Sequence, residues 1–187
     1  MNKGLTLIIF LTVVASACTT TGIRKQHRKQ VANTSVVEVV DGDTVDIRFG
    51  EDVKTVRMLG VDTPEVHVEN SPGEFEKIPS NSRGRQCLEK WGEKASEFAK
   101  KKLEGENISF VTDPNSDVRG SYGRLLGYIK VNGENFNYQL VRKGYARVYT
   151  SGFTKQSKFL EAEEKAQNRM KGLWQCQSFE ISNLTVK

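Results

Sequence analysis

A chain of 187 residues, 37% hydrophobic and 27% charged, has the make-up of a folded globular protein, which excludes a disordered chain. Its length fits one domain with a single good core. The 28 Lys and Arg outnumber the 23 Asp and Glu, giving +5 and a pI near 9.1. That excess suits a polyanionic partner or an anionic surface and identifies neither. His27 and His67 are the only histidines and no Cys-x-x-Cys spacing occurs, which argues against a zinc site.

Met1-Asn-Lys3 makes a short positive start, Leu5 to Val14 an apolar run, and Ala15-Ser-Ala-Cys18 ends it with small residues. The run is too short to span a bilayer comfortably and reads as an export signal over 1–17. Cleavage after Ala17 would release a soluble secreted or periplasmic protein. The same Ala-Ser-Ala-Cys resembles a bacterial lipobox, in which Cys18 is acylated and becomes the mature N-terminus. The second reading makes an envelope lipoprotein whose only hold on the membrane is the lipid on Cys18. A polar, basic tether over 18–34, including Arg24-Lys-Gln-His-Arg-Lys29, then leads into a domain over 35–178 and a tail over 179–187. Lipidating Cys18 leaves Cys87 and Cys176 as an even pair. In an oxidising compartment these two can form a disulfide tying the segment before the first helix to the C-terminal region; two free thiols are the alternative.

Val36-Val-Glu-Val-Val-Asp-Gly-Asp-Thr-Val-Asp-Ile-Arg-Phe49 holds two carboxylates amid strand-like alternation. As one strand it would put Val37, Val39, Asp41, Asp43, Val45, Ile47 and Phe49 on a single face. Buried carboxylates there would ask for a cation. The alternative is a tight Asp-Gly-Asp turn between two short strands, with both acids solvated. Strands are predicted at about 36–40, 43–49 and 53–61, the last closed by Asp62-Thr-Pro-Glu65 because Pro64 cannot donate to a ladder. Residues 66–90 read as a long polar loop containing His67. A helix is predicted over about 92–104, then strands over 108–112 and 124–131 with a hairpin turn at Asn132-Gly133. Asn137 is the predicted N-cap of a short helix ending at Lys143 before Gly144. A strand near 145–149 and a helix over about 155–171, ending at Gly172, complete the series. The class is α+β, mainly β: a five-stranded OB-type barrel with three α-helices.

Beyond the paired Asp, Thr55-Val-Arg-Met-Leu-Gly-Val-Asp-Thr-Pro-Glu65 places Arg57, Asp62 and Glu65 on or just past a short apolar strand. An arginine there is costly unless it faces an anion. Ser121-Tyr-Gly-Arg124 sends Tyr122 and Arg124 toward the next strand. Hard oxygen ligands, two guanidinium forks and a further carboxylate form the inventory for metal-assisted attack on a phosphodiester.

Val40-Asp-Gly-Asp-Thr-Val45, Val56-Arg-Met-Leu-Gly-Val-Asp-Thr-Pro-Glu65, Trp91-Gly-Glu-Lys-Ala-Ser96, Tyr122-Gly-Arg124, Leu140-Val-Arg-Lys-Gly144 and Lys171-Gly-Leu-Trp174 together resemble the staphylococcal nuclease (thermonuclease) family. The resemblance covers about 36–175 and implies a five-stranded OB barrel with three helices. It implies a monomeric calcium-dependent enzyme that hydrolyses DNA and RNA to 3′-phosphorylated products. Asp43 and Asp62 match its calcium carboxylates, Thr63 the position lending a backbone carbonyl, and Asp41 a supporting acid. Glu65 matches the carboxylate beside the attacking water. Arg57 and Arg124 match the arginines on the scissile phosphate, and Tyr122 a tyrosine lining the nucleotide pocket. Two features depart from the family pattern. The segment between Glu65 and Trp91 is longer than in its best-known member, either covering the cleft or serving as surface decoration. Ser121 stands where a lysine helps hold the terminal phosphate. Tyr145 and Tyr149 do not align with the pocket tyrosines.

Overall fold

The computed structural model describes residues 29–179. Alternation builds the first three strands, β1 (Val31–Val39), β2 (Thr44–Phe49) and β3 (Asp52–Met58). Val45, Ile47, Val56 and Met58 point into the core, while Arg48 and Thr55 face solvent. In β1 the strict alternation fails. A register shift between Val36 and Glu38 buries Val36 and Val39 and turns Val37 outward, as a bulge with one extra residue must. The strand also starts earlier than predicted, because Val31–Ser35 pairs with β5 (Asn107–Val111). The expected tether therefore gives way to sheet at Val31; residues 1–28, with the export signal and Cys18, lie outside the described residues.

The strand predicted over 53–61 is broken at Gly60 (φ 76°). Beyond it β4 (Val61–Asp62) pairs with β8 (Arg147–Val148) instead of continuing the barrel. The barrel closes when β6 (Leu125–Val131), antiparallel to β5, also pairs in parallel with β3. Its cyclic order is β3, β2, β1, β5, β6, a closed five-stranded mixed barrel. The two-residue β7 (Glu134–Asn135) returns through Asn132 and Gly133, both at positive φ, as the hairpin signal requires.

Among the described residues three α-helices surround the barrel: α1 (Ser82–Leu103), α2 (Phe136–Lys143) and α3 (Gln156–Asn168). α1 begins about ten residues before its predicted start, so the irregular segment shrinks to 66–81. Asn81 caps it by accepting from the Gly84 N–H at 2.9 Å. Its first turns bury Leu88 and pack Cys87 and Trp91 in a second apolar cluster with Phe75, Ile78, Leu173 and Trp174. Cys87 and Cys176 are disulfide-bonded across 89 residues of sequence. α3 ends at Asn168, short of the predicted 171, and a separate 3-10 turn runs from Gly172 through Phe179.

The cap of α2 is Asn135, which accepts from the Tyr138 N–H, and not Asn137. Asn137 is fully buried. It accepts from the Ile129 N–H and donates to the carbonyls of Leu59 and Gly127, stitching α2 to β6 and the end of β3. Gly144 closes the helix in the left-handed region as expected.

Asp113, buried just after β5, accepts from the Tyr128 hydroxyl at 2.7 Å, from the Thr154 hydroxyl and N–H, and from the Asn115 N–H. Burial pushes this carboxyl up, but the hydrogen bonds from Tyr128, Asn115 and Thr154 outweigh it and hold it below the usual range. A lowered folded pKa means stability present above the unfolded value and lost as pH falls through the folded one. Asp113→Ala is expected to cost about 3 kcal/mol at neutral pH. The wild-type advantage over this variant should shrink below about pH 4, which urea titrations at pH 7 and pH 3 would measure. Equal destabilisation at both pH values would contradict the assignment.

Candidate active site

The Asp41-Gly42-Asp43 segment is a bend between β1 and β2 and not continuous strand. The turn reading is correct for the backbone and wrong for the second acid, since Asp43 is only 4% exposed. The Asp43 N–H donates to Asp41 Oδ1 at 3.0 Å, which shapes the bend. A Cβ on Gly42 would stand 2.8 Å from the Ala95 Cβ and 2.9 Å from Thr63 atoms, so the absent side chain lets the bend press against α1. Asp43 Oδ2 accepts from the N–H and hydroxyl of buried Thr63, and Oδ1 from the Thr44 hydroxyl at 3.2 Å.

Arg57 occupies the space between the acids. Its Nη1 lies 2.6 Å from Asp43 Oδ2 and its Nη2 2.6 Å from Asp62 Oδ1, and Nη1 also donates to the Val61 carbonyl. Burial, with the charges of Asp41 and Asp62, pushes the Asp43 carboxyl up to about 7 against the pull of Arg57. The Arg57 guanidinium is raised despite its burial, by Asp43 and Asp62 foremost. Glu65 stands at the exposed edge of this group. Its carboxyl is raised by partial loss of water and by the negative charges of Asp41 and Asp62.

Sequence reasoning missed Arg147. It is the cross-strand partner of Asp62 in the β4–β8 ladder, and its Nη2 lies 2.7 Å from Asp62 Oδ2 and 3.6 Å from Glu74. The guanidinium also lies over the rings of Phe75 and Tyr149. Asp62 is thus gripped on both oxygens by different arginines. The signal was a lone cation on a predicted strand, and only the pairing of that strand gives it a partner.

A cleft of about 910 Å³ opens beside this cluster. Its walls include Arg57, Arg119, Ser121, Tyr122, Arg124 and Tyr149. Asp43, Asp62 and Glu65 do not line it; Asp43 and Asp62 reach it through their bonds to Arg57. Tyr122, at a positive φ of 63°, is 94% exposed, and its ring lies 5.9 Å from the Arg124 guanidinium carbon. Arg124 is half-buried, and its Nε is buried with no hydrogen-bond partner among the described residues. Arg124 precedes β6 instead of entering it, and Tyr149, given no role from sequence, stands in the wall. His67 is exposed.

Among the described residues no group of three or more His, Cys, Asp or Glu converges as a ready metal site. The donors nevertheless fit a hard cation. Carboxylate oxygens suit calcium and not a soft metal; Asp43 Oδ1 meets only the Thr44 hydroxyl at 3.2 Å among the described residues, whereas Asp62 would have to release Arg57 or Arg147 to offer an oxygen.

The family model described as staphylococcal nuclease homologue matches residues 55–176. An uncharacterized protein of Methanocaldococcus jannaschii is 40% identical over 144 residues, 74% of this chain and 70% of that one. The thermonuclease of Staphylococcus hyicus is 29% identical over 181 residues, 93% of this chain and 97% of its own. The SPbeta prophage-derived endonuclease YokF of Bacillus subtilis is 30% identical over 149 residues, 78% of this chain and 45% of its own. With the closed barrel and the arginine-lined cleft, these matches show that the chain belongs to the staphylococcal nuclease family.

Proposed function

We propose that this nuclease is a calcium-dependent phosphodiesterase that hydrolyses DNA and RNA and leaves 3′-phosphorylated ends. The names thermonuclease and endonuclease among its relatives support the reaction class. The observation that carries the finer reading is the sharing of one cleft by Arg57 and Arg124, with Asp43 and Asp62 bonded to Arg57.

Asp43, Asp62 and Thr63 would hold calcium, with Asp41 supporting Asp43 through the bend. When bound, the ion neutralises phosphate charge and polarises the phosphoryl group. The forks of Arg57 and Arg124 bind the phosphoryl oxygens and stabilise the charge that builds in the transition state. Arg57 lines the cleft while held by two carboxylates, whereas Arg124 lines it with no carboxylate partner among the described residues. Glu65, whose raised carboxyl is a stronger base when ionised, takes a proton from the attacking water. The water oxygen bonds to phosphorus as the bond to the 5′ oxygen breaks; that oxygen leaves with the bonding pair and takes a proton from solvent, and the phosphate stays on the 3′ oxygen. Tyr122 and Tyr149 offer ring surfaces for the nucleotide.

We also infer export of a monomer, tethered to the envelope only by a lipid on Cys18. The apolar run at Leu5 to Val14 and the Ala15-Ser-Ala-Cys18 sequence support it, as does the Cys87–Cys176 bond, which suits an oxidising compartment. The mass of the mature N-terminus tests the lipid. The reaction is tested by incubating the purified chain with plasmid DNA, single-stranded DNA and RNA, with calcium or with chelator. Expected is calcium-dependent degradation to fragments whose 3′ ends accept polymerase extension only after phosphatase treatment. Binding without cutting would make the barrel a recognition module instead.

A further inference from the structure

The segment between Glu65 and α1 is built against the active site at the residue where it begins. The Glu65 N–H donates to Asn70 Oδ1 at 2.8 Å, and Asn70 Nδ2 donates to the Glu65 carbonyl at 2.9 Å. One side-chain amide therefore closes a two-bond ring on the backbone of the carboxylate residue. Asn70 is buried, at 5% exposure, although its neighbours Val68, Glu69 and Ser71 are exposed. A buried amide whose donor and acceptor are both used on one residue has a defined orientation.

Helix α1 also closes on this peptide. A Cβ on Gly92 of α1 would stand 2.7 Å from the Pro64 carbonyl oxygen and 2.8 Å from that of Glu65, so α1 seats the same peptide. Further along, Phe75 and Ile78 anchor the segment in the second apolar cluster, and Lys77 bonds to Gln167 on α3. Asn70 is thus carried by a fixed strap.

We propose that Asn70 is a positioning residue for Glu65, and that the segment 66–81 works as a clamp on the active site. The clamp fixes the Glu65 backbone between Asn70 and Gly92 while leaving its carboxylate exposed to water. The inference rests on the reading of Glu65 as the group that accepts the proton of the attacking water. Its benefit falls on the transition state, because Glu65 faces the nucleophile and not the cleft walls that bind the substrate.

Steady-state kinetics on a defined oligonucleotide at saturating calcium provide the test, run well below the melting temperature of every variant. Asn70→Ala is expected to lower kcat about 10- to 100-fold with KM changed less than about twofold, on the scale of a nucleophile-side misplacement. Asn70→Asp keeps the bond from the Glu65 N–H and loses the one to its carbonyl, so its kcat should fall between wild type and Asn70→Ala. On a Glu65→Gln background, Asn70→Ala should cost less than about twofold more, because the group it positions is already disabled. Full loss on that background, or a kcat within twofold of wild type for both Asn70 variants, overturns the proposal. Undiminished activity of Glu65→Gln alone would instead overturn the reading of Glu65.

Discussion

Arg124→Lys is expected to lose about three or more orders of magnitude in kcat while the chain keeps its melting temperature. The side chain lines the cleft and, among the described residues, has an unpartnered Nε and bonds to no acid, so its removal leaves no carboxylate of that set unpaired. Lysine preserves the positive charge but not the planar fork that can meet two phosphoryl oxygens at once. The loss should therefore fall on turnover, where charge concentrates, and less on KM. Arg57→Lys is expected to lose at least as much turnover with a different signature. Arg57 bonds to Asp43, Asp62 and the Val61 carbonyl, and a lysine cannot span all three. This variant should also melt at a lower temperature and bind calcium with altered affinity. Stopped assays on purified variants, with melting curves in calcium and in chelator, separate the two patterns. Near-wild-type turnover by folded Arg124→Lys would remove it from the transition state.

The contrast between the two arginines was not legible in the sequence, although both residues were. Arg57 and Arg124 are recognisable because each sits in a local motif. That the two share one cleft depends on closure of the barrel, which sets β3 beside β6 in parallel across a separation that no local pattern encodes. Arg147 was missed for the same reason: its partner, Asp62, faces it only once β4 and β8 pair. The Asp-Gly-Asp bend divided along similar lines. Its backbone followed turn chemistry, and burial of Asp43 came with its bonds to Thr63 and Arg57, while α1 packs against the neighbouring Gly42.

Strand existence, the Asn132-Gly133 hairpin and the Gly144 helix end were readable because each is set by local stereochemistry. Boundaries failed where a tertiary contact won. Val36 and Val37 exchanged faces at a bulge. The start of α1 was hidden because Ser82-Arg-Gly-Arg-Gln86 shows no apolar repeat, and its stability comes from the Asn81 cap and the disulfide side. Asn137 looked like a cap by residue type, yet it satisfies buried backbone groups of Leu59, Gly127 and Ile129.

Breaking the Cys87–Cys176 bond is the largest expected change in stability. The bond closes 89 residues of chain, and the entropy of the unfolded state it removes corresponds to about 4 to 5 kcal/mol, an upper figure that native strain and residual structure reduce. For a domain of this size that is a fall in melting temperature of about 10 °C or more. Cys176 is fully buried, so paired Cys87→Ser and Cys176→Ser substitutions give a cleaner measurement than added reductant. Activity per folded molecule should change far less. The Asn70 ring on Glu65 spans only five residues, and Phe75, Ile78, Leu88 and Trp174 still pack around the missing bond. An unchanged melting temperature, with both thiols titratable in the native wild type, would mean that the two cysteines do not pair. If kcat at 25 °C instead fell as steeply as stability, the disulfide would be holding the clamp on Glu65 directly, and the apolar cluster would not be its principal anchor.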